Sequence, residues 1–166
     1  MSMTWAEVMG RLGRNDYPVA LANAVADYRL TDRVEIAGGI ETAWTMAEWP
    51  LQRLSADLWV GLIDSVITQD QYLHGHRPTP LATLPEFITL WRGATEEHQA
   101  GMSWTDSREQ AEWFARRLGP AGVVWEATVL NTMVLARFSS RSEFEWVIDA
   151  SMFAEDDIQP AAVTVN

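Results

Sequence analysis

The hydrophobic pattern of this chain changes period once, near residue 84, and that change constrains the fold more than any other feature. Up to about residue 75, apolar residues recur at helical spacing. "TWAEVMGRL" (4–12) opens with Thr4 and carries Glu7 three residues on, a capping-box pattern. "PVALANAVADYRL" (18–30) puts Pro18 in a first turn, with Val19, Ala22, Val25, Ala26 and Leu30 along one helix face. "AGG" (37–39) is expected to break the chain, and "ETAWTMAEW" to form a short helix after it. "PLQRLSADLWVGLIDSVITQ" (50–69) reads as one longer helix whose buried face carries Leu51, Leu54, Leu58, Leu62 and Val66. "HGHRPTP" (74–80) reads as a Pro/Gly connector.

Beyond residue 84 the pattern is that of strands. "EFITLWRG" (86–93), "GVVWEATVL" (122–130), "MVLARF" (133–138) and "EFEWVIDA" (143–150) read as strands, and "GMSWTD" (101–106) as a short strand or turn. One helix is inserted, "SREQAEWFARRLG" (107–119), with Ser107 as N-cap, arginines late and Gly119-Pro120 as its stop. Helices first, then strands with one helix among them, predicts an α+β fold: a helical N-terminal half packed on a mainly antiparallel sheet. The length of 166 residues suits a single domain, with a helical portion over 1–80 and a core over 86–150. No Gly-rich turn joins a strand to a helix, so a Rossmann or P-loop site has no support.

Composition narrows the chemistry. The absence of cysteine excludes disulfides, thiolate metal sites and a cysteine nucleophile. Twelve basic against 23 acidic residues, net −11, leave no broad basic surface for nucleic acid. No apolar run is long enough for a membrane helix, and "MSMTWAEVMGRLGR" lacks the form of a secretory signal. The expected compartment is the cytosol, of the producing cell or of an infected host. Nine tryptophans are many for this length, and most are expected in packing. His74 and His76 stand two apart with no acidic partner at a helpful spacing, so no metal is expected. Ser103 lacks the Gly-x-Ser-x-Gly elbow of a hydrolase nucleophile.

Three polar features interrupt the apolar second half. Arg92 closes "FITLWRG", Ser103 sits in "GMSWTDS", and Glu143 and Glu145 open the strand "EFEWVID". Taken singly each has an ordinary explanation: a salt-bridged arginine, a turn serine, a solvated strand face. Carboxylates two apart on a strand share one face.

In this order, "LWRG", "GMSWTDSREQAEWFA" and "LARFSSRSEFEWVID" resemble the ADP-ribosyltransferase family of the arginine–serine–glutamate class. The resemblance covers roughly residues 86–150 and implies a split, mainly antiparallel sheet around an NAD⁺-binding cleft, NAD⁺ being a substrate. It further implies a role for each matching residue. Glu145 would hold the ribose and stabilise the positive charge that develops when the glycosidic bond breaks. Glu143 would orient the acceptor and take its proton, and a glutamate there goes with arginine acceptors in the family. Arg92 would pair with phosphate or ribose. The Gly93 backbone would hold the nicotinamide carboxamide, and Ser103 would fix Glu145 and the nicotinamide ribose. Trp104 or Phe114 would stack on the nicotinamide. The chain has Ser103-Trp104-Thr105 where members often have a hydroxyl-rich triplet, and "FSSR" (138–141) falls where the family places its acceptor-reading loop. The activity so implied is mono-ADP-ribosyl transfer to a protein target, in a toxin or phage-effector setting. Two alternatives stand beside it: an NAD⁺ glycohydrolase on the same site, and a non-catalytic binding or inhibitor protein that keeps the fold.

Overall fold

The computed structural model describes residues 1–140 and 143–163, apart from the side chains of Ser140 and Glu143. The chain divides into two compact units, Met1–Pro80 and Leu81–Asn166.

The first unit begins with α1 (Trp5–Met9), where Thr4 and Glu7 form the reciprocal capping box. α2 (Tyr17–Ala26) has Pro18 in its first turn. α3 (Arg33–Met46) starts at Asp32, whose carboxylate accepts from the Val34 and Glu35 amides, and it runs unbroken through "AGG". The expected break is absent because tertiary packing overrides glycine's poor helix propensity there. A Cβ on Gly39 would lie 2.7 Å from Leu21 Cδ1 and 3.2 Å from the Trp5 ring, so glycine is what lets α3 approach α1 and α2. The single helix expected over 50–69 is two, α4 (Pro50–Arg53) and α5 (Ala56–Asp64), because the Ser55 side chain caps a new N-terminus on the Leu58 amide. Trp59, Leu62 and Ile63 form its buried face, whereas Leu51 and Leu58 are exposed. Trp44 and Trp59 meet edge to face at 5.0 Å. The stretch expected as a connector is a hairpin, β1 (Gln71–His74) and β2 (Arg77–Pro80), paired from Gln71↔Pro80 to His74↔Arg77. Gly75 takes φ +63° at its tip, and Pro78 and Pro80 remove donors from β2.

The second unit holds β3 (Phe87–Ala94), β4 (Ser103–Thr105), α6 (Arg108–Arg117), β5 (Val123–Leu130), β6 (Val134–Ser140), β7 (Glu143–Ile148) and β8 (Ile158–Pro160). These strands stand in the order β6-β7-β4-β3-β5-β8, and each pair is antiparallel. β3 and β5 pair along their whole length, from Phe87↔Leu130 to Ala94↔Val123. β3 and β4 share a single register pair, Trp91↔Thr105. The strands are therefore continuous rather than divided into two sheets, and the expected split reduces to this thin join. α6 packs on β3, capped by the Ser107 hydroxyl on the Gln110 amide. Leu90, Ala127, Val129, Phe138, Val147 and Ile148 are fully or almost fully buried in this unit. Of the nine tryptophans, Trp5, Trp44, Trp59, Trp104, Trp125 and Trp146 are buried, which makes packing their main task. No helix among the described residues is long and apolar enough to cross a membrane.

Candidate functional site

Arg92, Ser103 and Glu145 come together at the thin join. Register places Thr105 opposite Glu145 and Ser103 opposite Val147, so Ser103, Thr105 and Glu145 share one sheet face. Ser103 Oγ donates to Glu145 Oε1 at 2.6 Å. That length is typical of a hydroxyl donating to a carboxylate. Where β3 and β4 diverge, the Arg92 side chain enters. Its Nε donates to the His98 carbonyl at 3.0 Å and its Nη1 to the Ser103 carbonyl at 2.7 Å. Burial pushes the Arg92 guanidinium below its ordinary value, and attraction to the Glu145 carboxylate offsets part of this. A carboxylate, a hydroxyl and a guanidinium thus form one linked group, with Arg92 and Glu145 both half-buried.

β7 is backed by a polar and aromatic cluster. Trp146 Nε1 donates to Asp106 Oδ2 at 3.2 Å, and the Arg137 guanidinium lies 3.9 Å from the Phe144 ring centre and 4.6 Å from that of Trp146. Phe144 and Trp146 alternate with Glu145, so this cluster holds the strand from the opposite face. Thr105 Oγ1 accepts from the Ser107 amide at 3.0 Å and so ties the end of β4 to the start of α6.

Other expected site residues fall differently. Trp104 is only 2% exposed; its Nε1 donates to the Gly101 carbonyl at 2.8 Å, and its ring packs 5.5 Å from Phe153. It therefore cannot stack on a ligand. A residue between Ser103 and Thr105 must face the other side of the strand, and that alternation was readable in the sequence. Phe114 is 46% exposed on α6, edge to face with Trp113 at 4.9 Å, and remains open to a ligand. Gly93 lacks a side chain for a reason of packing: a Cβ there would lie 2.6 Å from Ala115 N and 2.9 Å from Phe114 Cβ, against α6. Glu143 belongs to the backbone of β7, but its side chain lies outside the described residues. Of the expected acceptor-reading loop, residues 138–140 belong to β6, with Phe138 buried, and Arg141 lies outside the described residues.

His76 Nδ1 lies 2.9 Å from Glu41 Oε2, and the His74 ring stacks on Tyr72. Among the described residues no three histidine, aspartate or glutamate side chains gather as metal ligands. Two surface hollows occur elsewhere. One of about 250 Å³ is lined by Glu112, Ala115, Arg116, Gly119, Gly122 and Val124. Another of about 380 Å³ lies in the helical unit and is walled by Trp5, Met9, Glu35, Glu41 and His76 among others. Neither is lined by Arg92, Ser103 or Glu145. The chain matches no family model, no curated protein and no solved structure.

Proposed function

We propose that this chain is a mono-ADP-ribosyltransferase that moves ADP-ribose from NAD⁺ to a protein side chain, arginine being the acceptor that Glu143 favours. The observation that carries the reading is the linked group itself: Ser103 Oγ on Glu145 Oε1 at 2.6 Å, with the Arg92 guanidinium on the Ser103 carbonyl at 2.7 Å. Three residues from three strands, up to 53 positions apart (145 − 92), are linked: Ser103 bonds the Glu145 carboxylate, and Arg92 bonds Ser103 and is attracted to that carboxylate.

The chemistry follows from that carboxylate. The bond between nicotinamide N1 and ribose C1′ breaks, and its electron pair leaves with the nicotinamide. Positive charge passes to C1′ and the ring oxygen. Glu145, fixed by Ser103, holds a ribose hydroxyl and stabilises this charge; aimed electrostatic stabilisation of this kind is commonly the largest catalytic contribution. The acceptor nitrogen then bonds to C1′, and Glu143 takes the proton it loses. Arg92 faces the anionic part of the substrate, the Gly93 backbone the carboxamide, and Phe114 the nicotinamide ring. The target is a protein, and a net charge of −11 suits a basic one met in the cytosol of the producing cell or a host, as for a toxin or phage effector.

A second reading, a binding protein without the chemistry, is favoured by one observation: a net charge of −11 lets such a chain capture a basic partner by electrostatic complementarity. Incubation of the chain with NAD⁺ labelled in its adenylate, together with a cell lysate, separates the two. The proposal expects labelled protein and free nicotinamide. Free nicotinamide without labelled protein would make the chain a glycohydrolase. Neither product would leave the binding protein.

A further inference from the structure

We infer that Gly101 is a positioning residue of this site, a bare backbone floor on which the Arg92 guanidinium lies, fixed from the core by Trp104. A Cβ built at position 101 falls on the guanidinium, 2.9 Å from Nε and closer still to Cζ and Nη2. Its backbone is not in the left-handed region, so space alone requires glycine here. Such a clash is cheap where a flexible side-chain end can swing aside. Arg92 cannot, because its planar head is held at Nε by the His98 carbonyl and at Nη1 by the Ser103 carbonyl. Moving it breaks both bonds.

The floor is itself held. Trp104 Nε1 donates to the Gly101 carbonyl at 2.8 Å, and Trp104 is almost fully buried against Phe153. On the other side, the His98 ring Nδ1 lies 3.0 Å from Thr95 Oγ1, which pins the turn whose carbonyl receives Arg92. Support therefore runs from Trp104 to Gly101, from Gly101 to Arg92, from Arg92 to the Ser103 carbonyl, and from the Ser103 hydroxyl to Glu145. The residue with the largest side chain in the Ser-Trp-Thr triplet acts from the face opposite the carboxylate. The catalytic consequence rests on the function proposed above; the socket does not.

The test compares the full-length ¹⁵N-labelled chain as wild type, Gly101→Ala, and Gly61→Ala, a control glycine with nothing within 4 Å of its added Cβ. Two quantities are read: the Arg92 Nε–H cross-peak, with its exchange protection, and nicotinamide release from NAD⁺. In wild type and Gly61→Ala the cross-peak is protected. In Gly101→Ala the circular dichroism is unchanged, the protected cross-peak is lost, and kcat falls about 10-fold or more, the scale of a displaced electrostatic partner. KM rises as well, because the displaced guanidinium no longer meets the anionic part of the substrate, while the fall in kcat reports the support lost by Ser103 and Glu145. A cross-peak that survives in Gly101→Ala, or a kcat that does not fall, overturns the inference. If Gly101→Ala does not fold, Trp104→Phe, which removes the indole donor together with part of the buried ring, must weaken the same protection and lower the same rate; no change in either overturns it. A wild type that releases no nicotinamide overturns the proposed function, and the cross-peak then decides the socket alone.

Discussion

Arg92 is committed to the protein before any ligand arrives. Its two backbone acceptors, the His98 and Ser103 carbonyls, sit where β3 and β4 barely pair, so its guanidinium bridges a gap that the sheet's own hydrogen bonds leave. Arg92→Ala is accordingly expected to destabilise the apo protein by about 2–3 kcal/mol, the scale of losing charge-assisted hydrogen bonds. Arg92→Lys restores only part of this, since one ammonium cannot reproduce the fork. Urea midpoints check both; an Arg92→Ala midpoint equal to wild type would mean the guanidinium holds nothing together. Glu143→Gln is expected to lower label transfer to protein while nicotinamide release persists, and equal loss of both would show that the two acids do not divide the work. At this scale the sequence exposed the charged and hydroxyl residues, because they interrupt strands that are otherwise apolar. It also held the direction of Trp104, by alternation. Gly101 was invisible, because its need for no side chain arises from an arginine nine positions earlier (101 − 92) that folding brings over it.

Elements were legible where local signals set them. The capping box at Thr4 and Glu7, Pro18 in a first turn and Ser107 before α6 each mark a helix start by chemistry within a few residues. Ser55 was an equally local cap, overshadowed by the leucine periodicity running past it. The unbroken α3 was not legible, because Gly39 answers to Leu21 and Trp5. That argument separates two adjacent glycines. Gly39→Ala is expected to lose about 1–3 kcal/mol to overpacking, outweighing its helix-propensity gain. Gly38→Ala, with nothing within 4 Å, should gain up to about 1 kcal/mol. Thermal melts of the two variants test this, and a stabilised Gly39→Ala would contradict close packing of α3. The capping box makes a pH prediction as well. Hydrogen bonds from the Thr4 backbone amide and then its hydroxyl hold the Glu7 carboxyl below its ordinary value. A carboxyl lowered in the folded state stabilises above its unfolded value, and that contribution fades as pH falls through the lower folded value. Glu7→Gln should therefore lower the melting temperature near neutral pH and make no difference in strongly acid solution. An equal loss in both would remove the ionised carboxylate from the account.

For the whole molecule, the α+β class and the order of helices before strands were written in the change of hydrophobic period. β8 and the β1–β2 hairpin were not, since each is short and lies outside a long periodic run. The antiparallel order β6-β7-β4-β3-β5-β8 is what brings residues 92, 103 and 145 to one place. If that place binds NAD⁺, the nucleotide raises the melting temperature by mass action. The most direct measurement is nicotinamide release from NAD⁺ by wild type and by Glu145→Gln, an amide nearly isosteric with the carboxylate. The account predicts release by wild type and a loss of about 10²–10³ in kcat for the folded variant, the scale of removing one aimed electrostatic partner. Equal release by both proteins, or none from wild type at millimolar NAD⁺, would contradict it.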